Sequence, residues 1–167
     1  MGLPAGPESV VISSHGSGAV QVNTGTLEGV GRISGAVTVG TGSSSGAILL
    51  GGNGTTSPGT LTINDPLTFR SLSTYKCAVN RTAAKASKVS AFGVTINSNV
   101  PFTFVDHGTT TLTAGTVFTV ITNTSAIPIF GRFSNLADGS TFISNGTHFR
   151  ANYKGGSGND VTLTVVP

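Results

Sequence analysis

At 167 residues the chain is long enough for one domain with its own core, and residues 1–167 are read as a single domain. Only 9% of residues are charged, but 37% are apolar and lie in short alternating runs. That pattern argues against a disordered chain, and no apolar stretch approaches the ~20 residues of a membrane helix. A net charge of +3, no tryptophan and two tyrosines supply little of the field or stacking surface that a nucleic-acid binder uses, so nucleic acid is not expected as a partner.

The opening "MGLPAGPESVV" has neither a basic n-region nor an apolar h-region, so no signal peptide is read there. The expectation is a protein kept inside the cell or a piece of a longer secreted chain. From Val20 onward almost every segment reads at period two. Val20–Val22, Val37–Val39, Ile48–Leu50, Leu61–Ile63, Leu67–Phe69, Val94–Ile96 and Phe102–Phe104 each place two apolar side chains on one strand face. Threonine, valine and isoleucine dominate these runs, as a pleated surface favours. Turn clusters such as "GTGSSSG", "GGNGTTSPG", "DHG" and "GGSGND" separate them. The fold class is therefore all-β. One stretch, "NRTAAKASK" from Asn80 to Lys88, has helical composition, but it is short and lacks an apolar stripe, so it reads as a surface excursion.

Up to Phe69 the runs recur about every ten to seventeen residues, and "GVGRISG" (29–35) echoes "GTGSSSG" (40–46). Such spacing suits stacked rungs of roughly 20–25 residues over 10–105, a right-handed parallel β-helix or β-solenoid. Residues 106–167 differ. "TVFTVITN" is longer and more continuously apolar, and Phe118, Phe130, Phe133, Phe142 and Phe149 gather there. That part reads as a Phe-rich, antiparallel C-terminal capping module ending in the strand Val161–Val165, which protects the open end of the stack.

The segments "GRISGAVTV", "GGNGTTSPGTLTI", "GTVFTVITNTS", "PIFGRFSNLADGSTF" and "ANYKGGSGNDVTLTVV" occur in that order. Over about residues 29–166 the chain resembles the C-terminal part of bacterial autotransporter-associated β-strand repeat proteins, with "SPGTLTI" and "GGSGNDVTLT" the most specific pieces. The resemblance implies a right-handed parallel β-helix at the cell surface or in secreted form, a scaffold or adhesin role, and no enzyme activity of its own. The chain departs from the family at Ser157, where members usually carry acids, and near Lys154, where they carry acidic or neutral residues.

Candidate chemistry is sparse. "GGSGNDVTL" matches the calcium nonapeptide through Asn159-Asp160, but Thr162 occupies its aliphatic position and one copy supplies too few oxygens, so a plain turn is expected. "GSSSG" (42–46) fits the hydrolase Gly-x-Ser-x-Gly pattern without the helix that such an elbow needs. Asp106-His107 resembles part of a catalytic dyad, but it precedes Gly108 and reads as a turn; His15 and His148 have no ligand spacing to it. The acids Glu8, Glu28, Asp65, Asp106, Asp138 and Asp160 are scattered. Asp138 and Asp160, about one rung apart, lie in glycine turns that favour aspartate anyway.

Arg70, Lys76, Arg81, Lys85 and Lys88 form a basic run without acids, either a solvated loop or a patch for an anionic polysaccharide or phosphate-bearing surface. Tyr75 and Tyr153 are the tyrosines a glycan could stack on. Cys77, the single cysteine, reads as a small buried side chain. No cofactor or glycan attachment is expected. The sequence thus points to a non-enzymatic structural or adhesin-like segment. A carbohydrate- or anionic-polymer-binding module and a small hydrolase or lyase stay open as alternatives, and oligomeric state is not legible.

Overall fold

The computed structural model describes residues 9–167, with side chains from residue 16 onward. Glu8 and the side chain of His15 lie outside the described residues. The architecture is all-β and, among the described residues, contains no helix; none is therefore long and apolar enough to cross a membrane.

The first part is built from parallel pairs. Strands β1 (Ser9–His15), β2 (Val20–Val22), β3 (Gly25–Ile33), β4 (Val37–Val39), β5 (Ala47–Gly51), β6 (Thr60–Ile63), β7 (Leu67–Phe69) and β8 (Thr74–Asn80) are followed by β9 (Lys85–Ala86), β10 (Lys88–Ala91), β11 (Val94–Ile96) and β12 (Phe102–His107). One ladder aligns β2, β4, β7 and β11, with Val20 opposite Val37, Val37 opposite Leu67 and Leu67 opposite Val94. A second aligns the first half of β3 with β5, β8 and β12 through Leu27, Leu49, Tyr75 and Phe102. A third aligns the second half of β3 with β6, β10 and then β13 (Val117–Asn123), through Ile33, Ile63, Ala91 and Asn123. The chain visits the three ladders in the same order each time, and β1 lies parallel to β3 along its length.

Short β-branched runs explain these elements. In β2, β4, β7 and β11 the outer residues are buried and the central Gln21, Thr38, Thr68 and Thr95 are half-buried, as a two-residue period requires. Stacked Val22, Val39, Phe69 and Ile96 fill the interior, each contributing about 1.5–3 kcal/mol as an upper figure. Ile48–Leu50 is out of phase with expectation. Ala47 and Leu49 face the core, Ile48 is half-buried, and Leu50 is buried on the opposite face. The steps along the first ladder (20 to 37, 37 to 67, 67 to 94) are uneven, the later two exceeding the expected rung. Between Val20 and Val37 the chain runs through β3 without a long loop; later passes between the ladders carry the 40–46 and 52–59 loops and the 81–87 excursion. That excursion is a hairpin in which β9 turns back antiparallel onto the end of β8.

From β13 the pairing changes. β14 (Thr141–Ser144), β15 (Thr147–Gly155) and β16 (Asp160–Val166) form an antiparallel meander, and β16 joins β13 antiparallel. Phe142 and Phe149 pack on Phe104, each with ring centroids 5.0 Å from it. Phe133 sits among Phe69, Tyr75 and Phe102 at 5.6–5.8 Å. Phe130 is not in this cluster, contrary to expectation: it is 72% exposed. Among the described residues the outer edge of β12 carries no strand. Instead Asn135 accepts from Phe102 N–H (2.7 Å) and donates to Phe102 C=O (2.9 Å), so one amide side chain mimics a neighbouring backbone.

Candidate functional site

Asp106 and His107 lie in β12 rather than in a turn, and neighbouring strand residues face opposite ways. They form no dyad. Asp106 meets Arg81 in a fork-to-fork pair, Nε to Oδ1 at 2.7 Å and Nη2 to Oδ2 at 2.6 Å, with both side chains 3% exposed. Arg81 also donates to Ser144 C=O and to the Thr147 hydroxyl, both at 2.9 Å. The Asp106 hydrogen bonds raise the Arg81 pKa, chiefly over an opposing effect of burial. Both Asp106 oxygens accept from Arg81, which also bonds the β14–β15 turn, so the pair ties that turn to the end of β12. His107 contributes its carbonyl to Arg81 N–H, and its Nε2 is buried without a hydrogen-bond partner.

The basic run is likewise dispersed. Arg81 is buried and leaves the patch because it pairs with Asp106, 25 residues on in β12. Arg70 is exposed beside the turn at Gly40, and Lys76 is half-buried in β8. Lys85 and Lys88 come together, lining a shallow recess of about 410 Å³ with Pro58, Thr60, Val117 and Thr119.

At the tail, Asn159 accepts from the Ser157 hydroxyl (2.8 Å) and donates to Ser125 C=O, while Asp160, 6% exposed, accepts from Asn123 N–H (2.9 Å). These side chains fasten the turn to the 123–127 loop. Asp138 Oδ1 accepts from Tyr153 N–H (2.9 Å), and Glu28 Oε2 from Gly54 N–H (3.0 Å). No group of three or more His, Cys, Asp or Glu side chains able to hold a metal occurs among the described residues. The "GSSSG" segment is an exposed loop in which the Thr41 hydroxyl bonds Ser43 and Ser44, and a strand follows it. His148 is exposed on β15.

Neither tyrosine is a platform, which removes the surface on which a tyrosine-based glycan site depends. Tyr75 is fully buried, donates to Val120 C=O, and is pushed by burial well above the usual phenol range. Tyr153 donates to Leu136 C=O (2.8 Å) and accepts from Phe133 N–H (3.1 Å); burial, first among several effects, lifts it to about 12. Cys77 is fully buried, and burial lifts its thiol from 9.0 to about 12, so the thiolate nucleophile is suppressed.

Sequence reasoning missed a different constellation. Arg132 lies over the Tyr153 ring, 5.8 Å from guanidinium carbon to centroid, with Nη2 3.9 Å from Asp138 Oδ2. It stands between two shallow recesses of about 430 Å³ each, one shared with Phe130, the other with Asp138, Tyr153 and Lys154. These residues come from the 130–138 loop and from β15, so no sequence spacing joins them; the one visible signal is an arginine and an aromatic flanking glycine in "IFGRF". No protein-family model matches the chain, and no curated protein matches it significantly.

Proposed function

We propose that the chain is part of a right-handed parallel β-helix, a β-solenoid of the autotransporter-associated passenger type, with residues 106–167 as its cap. In this reading it is a non-enzymatic structural or adhesin-like segment of a secreted or cell-surface bacterial protein. The observation that carries the reading is the return of the chain to three parallel ladders in one fixed order, with Val, Leu and Ile stacked inward. Parallel strands joined by crossovers wind right-handed in nearly all proteins, which supports the hand. Such a column offers long solvent-facing walls suited to display.

Beads coated with the folded chain test the adhesive role. They are expected to be retained on polysaccharide- or cell-coated surfaces, and the chain is expected to leave polysaccharide and ester panels unhydrolysed. Absence of any retention overturns the adhesive role. Turnover that disappears in His107→Ala while the β-rich circular dichroism is kept overturns the non-enzymatic one.

A further inference from the structure

We propose that Phe130 and Arg132 form a binding site for an acidic saccharide, the ring stacking on the C–H face of a sugar and the guanidinium gripping its carboxylate. The inference gives the adhesive role above a ligand class and rests on that reading.

Exposed phenylalanines are common, but the backbone of Phe130, a residue 72% exposed, is pinned on both sides. Its N–H donates to Val94 C=O (3.0 Å) and its C=O accepts from Ile96 N–H (2.8 Å), a parallel bridge to the edge of β11. Gly131 makes this close approach feasible. Its φ is +80°, and a Cβ there would stand 1.9 Å from Ile96 O. The ring is thus a platform whose backbone is already ordered, which lowers the entropy lost on binding.

Arg132 is oriented but not consumed. The Tyr153 ring lies beneath it, and Tyr153 is itself fixed through its hydroxyl. The nearest carboxylate oxygen, on Asp138, is 3.9 Å away, beyond hydrogen-bond reach, and the Arg132 side chain is 58% exposed. No hydrogen bond occupies its donors among the described residues. A planar fork of free N–H groups suits a carboxylate in bidentate geometry. Lys154 lines the same recess, so two cations face one carboxylate and the site favours an anion. Both recesses are within the size range of small-molecule sites, about 300–1,000 Å³, and they meet at Arg132, which suits successive units of a chain. A nucleic acid would need a succession of stacking rings, and here there is one.

The test is calorimetric titration of galacturonate, glucuronate and sialic-acid oligosaccharides, each beside its carboxyl-reduced form. Phe130→Ala and Arg132→Gln alter exposed side chains and are expected to keep the fold, checked by circular dichroism. Each should weaken binding about tenfold or more, and carboxyl reduction should abolish the Arg132 dependence. The paired change Lys85→Ala and Lys88→Ala, in the other cationic recess, should leave affinity within about twofold. Equal affinity in wild type and both site variants, equal binding of the reduced sugars, or loss on the lysine changes overturns the site. So does failure of every acidic oligosaccharide to bind. If coated beads still adhere in that case, the site fails and the adhesive reading stands; if wild-type beads do not adhere, the adhesive reading itself fails.

Discussion

In the first turns of the parallel ladders the interior is filled by aliphatic side chains repeated strand upon strand, Val37 on Val20 and Leu67 on Val37, before Phe69 and Tyr75 bring in the first rings. From β12 onward the filling is aromatic, with Phe102, Phe104, Phe133, Phe142 and Phe149 in mutual contact. Directional polar bonds gather at that end too: the Arg81–Asp106 pair, the Asn135 amide on Phe102, and Tyr153 between Phe133 and Leu136. The difference follows from what each part must do. A repeated parallel strand presents the same position to its neighbour about 4.8 Å away, so small branched side chains stack without gaps. Beyond β11, β12 and β13 no further parallel strand follows among the described residues, and large rings cover the exposed ends with few residues while hydrogen bonds fix the register that parallel stacking no longer supplies.

Removing Arg81 should break the joint between the two regions. Arg81→Ala leaves Asp106 buried and uncompensated and is expected to cost about 3–5 kcal/mol in urea unfolding. Amide exchange should rise in β14 and β15 before it rises in the ladders. The double change Arg81→Met with Asp106→Leu should lose less than Arg81→Ala alone, because no charge is stranded. Weakening each filling separately sharpens the contrast. Phe149→Ala should cost about 3–5 kcal/mol and Leu67→Ala about 2–5 kcal/mol in the same measurement. If the C-terminal end opens on its own, only Phe149→Ala should lower the denaturant slope of the main transition.

Alkali addresses titrating groups in both regions, and Tyr75 in β8, held well above the usual phenol range by burial, adds to the effect of Cys77 beside it. Cys77 in β8 and Tyr153 in β15 keep their protons to about pH 12 when folded, against 9.0 and 10.0 ordinarily. The unfolded chain releases these protons first, so stability is full below pH 9 and falls as pH rises towards 12. The slope is up to about 1.4 kcal/mol per pH unit for each group. Cys77→Ala and Tyr153→Phe should each flatten the fall in melting temperature measured across that range. The smallest effect belongs to the β12 edge. Asn135→Ala strands the Phe102 N–H and C=O and should cost about 1–3 kcal/mol by thermal unfolding, with exchange of the Phe102 amide accelerated most.

The strands were legible in the sequence wherever one face is apolar and the other polar. Val20–Val22, Val37–Val39, Leu67–Phe69 and Val94–Ile96 coincide with strands residue for residue. In "AILLG" the alternation is lost because Leu50 is buried on the outward face, so its phase could not be read. The continuous apolar run in "TVFTVITN" marked the place where pairing changes, since β13 has a parallel neighbour on one side and an antiparallel one on the other. Side-chain partnerships were far less visible. Arg81 finds its acid 25 residues on, and Tyr75 its carbonyl 45 residues on. Contacts of that range are set by how strands register, not by local spacing, so a charge count placed Arg81 on the surface and composition offered both tyrosines as platforms. The sequence groups Phe130 with the capping phenylalanines and gives Arg132 no partner for the same reason, since their neighbours are supplied by β11 and β15.

The uneven intervals along the first ladder have a practical corollary. Chain length between aligned positions varies while the alignment persists, because the surplus is shed outward into loops. The 41–46 loop is exposed throughout and bonded mainly to itself through Thr41. A foreign epitope spliced between Ser44 and Ser45 would lengthen that loop for a small closure entropy and disturb no aligned pair. The protein can therefore serve as a frame for grafted peptides, its cargo carried outside the wall.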